Sequence, residues 1–429
     1  MNNNTQSNHS DSSNLLASMV AFAITNTVGA GLSSQSFYIL KTGLVGLGSL
    51  FLSSVISYIV CQALINRVKL FRKCPNITLK KIAEYHRKDP VHWANIFSPI
   101  VEICIRSSNA VTSGIMLALL INFGLKFVAA SKSSILVATV MLMIPIVALC
   151  VVRGVLEDIV KVIIPLSVTS KVLTVIVTIL VGLYHSYSSG LPLLDVLSPL
   201  KCLEYPFNLT THADYIALFK AILFLFFSFC GLETVICAYP LAGAYLLNSS
   251  INLAWLATLL IYYCFNAVFI NVFNTPELYE QYNAFLAIPC IVFVSIGFVS
   301  FSYLTLLNIK EHLKETKVSN DTTTGAYVVI SCIVTMFILC MSIDFNTNVI
   351  DVEAGCSISS IYLLTLYSII CILEILRGYE EGRWTDMLPM IVPIVLSICC
   401  LITTPIEYFI TSILIAGWMQ CVLIVAQYI

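Results

Sequence analysis

The sequence predicts an all-α integral membrane protein with twelve transmembrane helices. Its 429 residues are 59% hydrophobic and 10% charged, with a mean hydropathy of +0.93. Soluble domains carry about 25% charged residues. A membrane helix needs about 20 mostly apolar residues, and runs of that kind recur along the chain. Lys and Arg are concentrated in alternate connections between these runs, as topology in a membrane requires.

The twelve predicted spans follow one another with short connections, and the last two are joined by a tight turn at residues 403–405. Their limits are 16–40, 43–66, 95–125, 134–152, 159–184, 215–246, 252–273, 284–308, 326–343, 357–376, 387–404 and 408–428. Residues 1–14 are polar and rich in Asn and Ser, and we expect a disordered tail there.

The basic residues predict the orientation. With the N-terminus inside, 15 of the 22 Lys and Arg residues lie in inner loops and 5 lie outside, while Arg106 and Lys171 lie within spans. This bias predicts that both termini lie in the cytoplasm. We expect the protein in the cell membrane, that is, the inner or plasma membrane. The loop 67–93 carries eight basic residues. Its stretch 77–86 has two interpretations, a short surface helix or a charged loop that only sets topology, and we favour the second.

The spans divide into two halves of nearly equal length. Residues 15–184 hold the first five spans and residues 215–376 hold the next five, which start on the opposite side of the membrane. An outer loop, 185–214, separates the halves, and 377–429 hold the last two spans. Two five-helix units of opposite sense predict an inverted repeat.

One span in each half is interrupted by glycine. The first reads Asn-Thr-Val-Gly-Ala-Gly at residues 26–31, and the second reads Ser-Phe-Cys-Gly-Leu-Glu at residues 228–233. Glycine weakens a helix where no water can replace the lost backbone hydrogen bonds. Such breaks at corresponding positions of two halves indicate a binding site. The alternative is that the glycines only permit close helix packing.

At these breaks the chain resembles the amino acid–polyamine–organocation (APC) superfamily. The motif Asn26-x-x-Gly29-x-Gly31 resembles the unwound first helix of bacterial amino acid permeases and antiporters. The motif Phe227-Ser228-Phe229-x-Gly231-x-Glu233 resembles their unwound sixth helix. The resemblance implies a five-plus-five inverted-repeat fold of the leucine-transporter type. It also implies an amino acid or related amine as substrate, held between helices one and six.

The resemblance also implies how each residue acts. Ala30, Gly31 and Ser33 would present backbone groups to a carboxylate, and Phe229, Cys230 and Leu232 would present carbonyls to an ammonium group. Phe227 would form an aromatic gate. A broken helix offers both kinds of unpaired backbone group. The complete set of expected substrate-binding residues is Asn26, Gly29, Ala30, Gly31, Ser33, Phe227, Ser228, Phe229, Cys230, Gly231 and Leu232.

Two ionisable residues in the spans are candidates for ion coupling. Lys171 lies twelve residues after Ile159, about 18 Å along a helix, and therefore near the middle of an apolar layer about 30 Å thick. The resemblance implies that such a lysine fills the space that a sodium ion occupies in sodium-coupled relatives. It therefore implies proton coupling or exchange. The alternative is a helix that starts at Pro165, from which Lys171 snorkels inward. Glu233 either carries a proton or braces the broken helix.

The roles of several other polar and charged residues in or near the spans can also be predicted. Glu102 and Arg106 are four residues apart on the third span and share one helix face. Pro99 is expected to start that helix, which places the pair near the cytoplasmic end. We favour a structural or gating ion pair over a contact with substrate. Asn109, one turn further, is a candidate cavity residue. Glu374 and Glu407 lie near span ends and are expected to face solvent.

These features favour a secondary active transporter of amino acids or related amines, working by alternating access with proton-coupled symport or exchange. A sodium-coupled or aromatic amino acid permease relative is an alternative, and so is a transporter-like receptor without flux. We expect no enzyme, cofactor, metal site or nucleic-acid partner, because the chain has no phosphate loop, Gly-x-Ser-x-Gly or metal-ligand spacing. The expected partners are the substrate, the lipid bilayer and a proton.

Overall fold

Helices form most of the described part of the protein in a computed structural model. The structure describes residues 4–28, 42–71, 79–84, 90–127, 156–190, 211–272 and 352–428, with residues 35, 39 and 295. The α-helices of these residues are α1 (Asn4–Thr27), α2 (Leu44–Val68), α3 (Leu79–Glu84), α4 (Pro90–Phe127), α5 (Leu156–Ser189), α6 (His212–Phe226), α7 (Tyr239–Val272), α8 (Val352–Glu380), α9 (Trp384–Thr403) and α10 (Ile406–Tyr428).

Four of the described helical segments are long and apolar enough to cross a membrane. They are Leu44–Phe71, Asp214–Ile236, Ala242–Val268 and Ala354–Glu380, and the bent pair Met387–Thr403 and Ile406–Cys421 adds a fifth if it counts as one span. The protein is therefore a multi-pass membrane protein. Three predicted spans, 134–152, 284–308 and 326–343, lie outside the described residues except for residue 295, so the count of twelve stays a prediction.

Helix α1 begins earlier than the sequence predicts. It starts at Asn4, so the expectation of a disordered tail over 1–14 is wrong for residues 4–14. Ser and Asn are weak helix formers. However, extending a helix that the apolar segment has already nucleated costs far less than starting one.

The second predicted break is confirmed. Helix α6 is followed by a 3-10 turn over Phe227–Phe229, an extended Cys230 and a second 3-10 segment over Leu232–Ala238. The boundary between the sixth and seventh spans, predicted at 246–252, is wrong. Helix α7 starts at Tyr239 and contains a sharp kink at Gly243, where φ is 69° and ψ is 174°. The kink lies within an uninterrupted apolar run, so the sequence pattern does not indicate it.

Helix α4 also starts earlier than predicted. It begins at Pro90, and Pro99 lies inside it rather than at its start. The preceding loop contains the short helix α3, so our preference for a plain charged loop at 77–86 is wrong. The tight turn predicted at 403–405 is confirmed, because α9 ends at Thr403 and α10 begins at Ile406, with a bend of 105° between them.

The core is built around α8, which contacts α4, α9, α10, α2 and α6. Helix α1 packs against α7, and α2 packs against α6, so each broken helix lies beside a helix of the other predicted half. Helices α5, α9 and α10 expose large apolar side chains such as Leu180, Ile402 and Ile413. In a membrane protein these surfaces face lipid.

Candidate substrate site

The two predicted breaks meet in space. Gly231 has φ 118° and ψ −17°, a left-handed conformation that side chains other than hydrogen disfavour. A Cβ atom on Gly231 would lie 2.7 Å from both the carbonyl carbon and the oxygen of Asn26. The Asn26 amide donates to Thr234 Oγ1 at 3.1 Å. Glycine at position 231 therefore permits direct contact between the second break and the end of α1.

Lys171 of α5 closes the C-terminal end of α1. Its Nζ donates to the carbonyl oxygens of Thr25 at 2.5 Å and Ile24 at 3.3 Å, and its side chain is fully buried. The C-terminal end of a helix carries partial negative charge, which a cation complements. The Ile24 carbonyl also accepts a hydrogen bond from the Val28 backbone N–H at 2.9 Å. Helix α5 starts at Leu156 and continues through Pro165. The alternative of a helix that starts at Pro165, from which Lys171 snorkels inward, is therefore wrong.

Hydroxyl groups of α2 and α7 donate hydrogen bonds to backbone carbonyls beside the cavity. Ser57 of α2 donates to the Phe229 carbonyl at 2.9 Å. Tyr262 of α7 lies 3.0 Å from the Thr27 carbonyl oxygen and 2.8 Å from that of Ser228, so one phenolic proton serves both breaks. The acceptors Thr27 and Phe229 are 202 residues apart and the donors Ser57 and Tyr262 are 205 apart. A repeat of two five-helix units would give such a near-constant offset, and the inverted sense of the two halves stays a prediction.

Glu233 braces the second break. Its Oε2 accepts hydrogen bonds from the Gly231 backbone N–H at 2.9 Å and from the Tyr367 hydroxyl at 2.6 Å. Tyr367 belongs to α8, so this pair fixes the 3-10 segment to the core. Of the two roles expected for Glu233, these hydrogen bonds support bracing of the broken helix. Proton carriage stays a prediction.

A narrow cavity lies between the breaks and the neighbouring helices. Its volume is about 30 Å³, which is room for about two water molecules, so the lining must move apart to admit a larger ligand. Its walls are formed by Asn26, Thr27, Ser108, Asn109, Thr112, Met116, Phe227, Cys230, Gly231, Glu233, Thr234 and Leu363.

The structure brings together part of the predicted set. Asn26, Phe227, Cys230 and Gly231 line the cavity, as do Glu233 and the candidate Asn109. Ser228, Phe229 and Leu232 are buried beside it and do not line it. Of these, Ser228 and Phe229 have carbonyls that already accept hydrogen bonds from Tyr262 and Ser57. Gly29, Ala30, Gly31 and Ser33 lie outside the described residues, so their roles stay predictions.

Several residues of the site were not predicted from the sequence. Thr234, Tyr262 and Tyr367 contact the breaks, and Ser108 and Thr112 of α4 both hydrogen-bond Ser359 of α8, at 3.1 and 3.2 Å. Ser108 and Thr112 are one turn apart within an apolar helix, a spacing that marks a polar face. The sequence does not say which neighbouring helix that face meets.

Glu102 and Arg106 form the predicted ion pair. Glu102 also contacts Lys80 of α3, with 3.4 Å between Nζ and Oε2, which places this pair beside the loop helix and away from the cavity lining. Its gating role stays a prediction. Glu374 is not solvent-facing as expected. It is 3% exposed and paired with Arg377 and Arg67, because α8 lies in the centre of the core.

No family model and no curated protein matches this sequence. Solved structures do match. A manganese transporter from Eremococcus coleocola, in complex with an aromatic bis-isothiourea compound, is 12% identical with a TM-score of 0.52, over 96% of this chain and 94% of that one. MhsT in complex with L-phenylalanine is 15% identical with a TM-score of 0.52, over 92% and 98% of the two chains. The protein therefore has the fold of leucine-transporter-type membrane transporters.

Proposed function

We propose that this protein is a secondary active transporter of amino acids or related amines that works by alternating access. The substrate would bind where the two breaks meet, with its ammonium group toward Glu233 and the carbonyls of the second break. Its carboxylate would face the backbone of residues 29–33. This proposal assigns no enzymatic activity and no cofactor to the chain.

The observation that supports the proposal is the contact between the end of α1 and the second helix break beside one polar cavity. Asn26 and Gly231 are in contact there, and Glu233, Asn109 and Thr234 line the same space. Helix ends supply hydrogen-bonding groups that no lipid can satisfy. A zwitterionic ligand complements such ends with its two charged groups.

We further propose that transport is coupled to protons through Lys171. This lysine occupies the end of α1 with its ammonium group on two carbonyl oxygens. Loss of its proton would leave those carbonyls with a weaker donor and would loosen α1 at the break. Intramembrane ionisable residues commonly mark such coupling paths.

Uptake into proteoliposomes tests the function. Radiolabelled amino acids and amines are presented as a panel, with proton and sodium gradients imposed separately. We expect saturable uptake of at least one amino acid, increased by an inward proton gradient and not by sodium. Lys171→Met should abolish the response to the proton gradient. Trp418→Phe, on an exposed face of α10, is the matched control and should retain it.

Other outcomes would select the alternatives. Uptake driven by sodium alone would favour a sodium-coupled or aromatic amino acid permease relative. Binding of an amino acid without flux would favour a receptor. Saturable Mn²⁺ uptake would favour metal transport, the activity named for one structural neighbour.

We assign the chain to the APC superfamily within this fold, on the strength of the motifs at residues 26–31 and 227–233. The fold itself does not choose between the families that share it. We also propose that the protein lies in the cell membrane with both termini in the cytoplasm, as the distribution of Lys and Arg predicts.

A further inference from the structure

Helix α4 forms a polar part of the cavity wall that the breaks do not supply. It contributes Ser108, Asn109, Thr112 and Met116, and Leu363 of α8 lies on the same cavity. We call Ser108, Asn109 and Thr112 the α4 wall. The proposed function places the ammonium and carboxylate groups of the substrate at the breaks. The substituent on the α-carbon of the substrate then has the α4 wall to face.

Asn109 brings an uncommitted amide to this wall. Its side chain is half-buried and lines the cavity, and it makes no hydrogen bond to any residue that the structure describes. Buried amides in proteins are nearly always paired with protein or water. The cavity has room for about two water molecules. A ligand that takes the place of such water must offer Asn109 hydrogen bonds of its own.

The hydroxyl groups of Ser108 and Thr112 form a chain with Ser359 that has a proton to spare. Three hydroxyl groups carry three protons, and the two hydrogen bonds between them use two of these. No other hydrogen bond of the three hydroxyls occurs among the described residues.

Burial decides which hydroxyl holds the spare proton. Ser359 is fully buried and does not line the cavity. If Ser359 accepted both hydrogen bonds, its own proton would be buried without an acceptor, which is costly. The favoured arrangement has Ser359 donating to either Ser108 or Thr112, and that hydroxyl keeps its proton for the cavity. The α4 wall can then both donate and accept hydrogen bonds.

The wall is also neutral. Of the described residues that line the cavity, none is Lys, Arg or His, and the carboxyl of Glu233 faces the place proposed for the ammonium group. A second carboxylate on the substrate would meet no cation here, and a second ammonium would meet no further acid. Burying an unpaired charge is costly, so charged side chains are disfavoured.

Building on the proposed function, we propose that the α4 wall selects amino acids whose side chain is short, neutral and able both to donate and to accept hydrogen bonds. The hydroxyls of threonine and serine and the carboxamide of asparagine have this chemistry. An aliphatic or aromatic side chain would leave the amide of Asn109 and the spare hydroxyl proton without partners. Sites built to hydrogen-bond a substrate reject analogues that lack the polar group, because their own polar groups then remain unpaired.

Competition between threonine and valine tests this selectivity, because the two side chains have similar shapes and differ by a hydroxyl in place of a methyl group. The full-length protein in lipid nanodiscs is titrated with radiolabelled threonine, and unlabelled amino acids compete. We expect threonine to bind at least about tenfold more tightly than valine, and asparagine at least about tenfold more tightly than leucine. Equal affinities within either pair, or a preference for the apolar member, would overturn the inference.

Variants assign the selectivity to the wall. Asn109→Leu should bring the affinities for threonine and valine to within about threefold of each other, and an unchanged ratio would overturn the inference. Should Asn109→Leu not fold, Thr112→Val decides in its place, since it keeps the shape of the side chain and removes one hydroxyl. It should lower the ratio about threefold. Asn248→Leu is the matched control, because Asn248 is half-buried on α7 and does not line the cavity, and it should keep the wild-type ratio.

The inference and the proposed function fail in different ways. If the protein binds and transports valine, leucine or phenylalanine in preference to threonine, serine and asparagine, the proposed function stands and only the selectivity of the α4 wall is overturned. If no amino acid or related amine is bound or taken up, the proposed function fails, and the inference that rests on it fails as well.

Discussion

Gly231 combines a φ of 118° with direct contact against the Asn26 backbone. Any larger residue meets both a backbone penalty of about 1–3 kcal/mol and an overlap that only displacement of α1 relieves. We predict that Gly231→Ala lowers the thermal midpoint of the purified protein by several degrees and abolishes uptake. Gly417→Ala is the control, because nothing lies within 4 Å of a Cβ there. An unaltered midpoint for Gly231→Ala would mean that the breaks do not touch.

Glu233 can be tested with a change that removes its charge and little else. Both of its hydrogen bonds end on the same oxygen, Oε2, and the amide oxygen of glutamine can accept both. If Glu233 acts as a brace, the Glu233→Gln variant should fold, and its substrate affinity should be within about threefold of wild type. Glu233→Ala should lose about 1–3 kcal/mol of stability. Thermal unfolding and equilibrium binding of the transported amino acid measure the two effects.

The same variants address proton carriage. If Glu233→Gln folds and binds normally but no longer responds to a proton gradient, then Glu233 carries the coupled proton. Tyr367→Phe serves as the comparison, since it removes one of the two hydrogen bonds and leaves the charge. It should weaken the brace without altering the stoichiometry of coupling.

Among the helices, α7 is the element that joins the two breaks. Tyr262 lies within hydrogen-bond distance of carbonyls from both, whereas Ser57 of α2 reaches only the second break. Tyr262→Phe should therefore reduce substrate affinity more than Ser57→Ala, by about tenfold against about threefold, since unsatisfied buried carbonyls cost about 1–3 kcal/mol. Binding isotherms for both variants check the order. Equal losses would argue that the two breaks are independent.

The sequence predicts some elements well for a physical reason. The second break could be located because glycine and polar residues interrupt an apolar helix locally, whatever surrounds it. The kink at Gly243 and the early start of α4 at Pro90 were missed. An apolar run of constant composition does not mark where one helix ends and the next begins.

The partners of each helix are harder to predict than its position. In lipid, the outward face of a helix is as apolar as its packed face, so hydropathy does not indicate which side meets protein. Asn26, Gly231 and Lys171 could be singled out by type. The contacts of Tyr262 with Thr27, or of Tyr367 with Glu233, depend on helix packing across 134 residues or more and leave no local signal.

For the molecule as a whole, the paired contacts are arranged as two repeated halves would arrange them, and the inversion of one half against the other stays a prediction. Ser57 and Tyr262 act on opposite broken helices at nearly the same offset in the chain. Lys171 of α5 and Tyr367 of α8 secure the first and second break at an offset of 196 residues. These pairs relate side chains of different type, which explains why the repeat is not visible as sequence similarity.

Inverted halves make a definite prediction about membrane topology. The two broken helices must then enter from opposite faces, and the distribution of Lys and Arg predicts that residues 67–93 are cytoplasmic and residues 185–214 are external. Fusions of green fluorescent protein after residue 88 or after Ile429 should fluoresce in a bacterial host, and alkaline phosphatase fused after residue 205 should be active. The reverse fusions are the controls and should be silent. Active phosphatase after residue 88 would invert the predicted topology and place α3 on the outside.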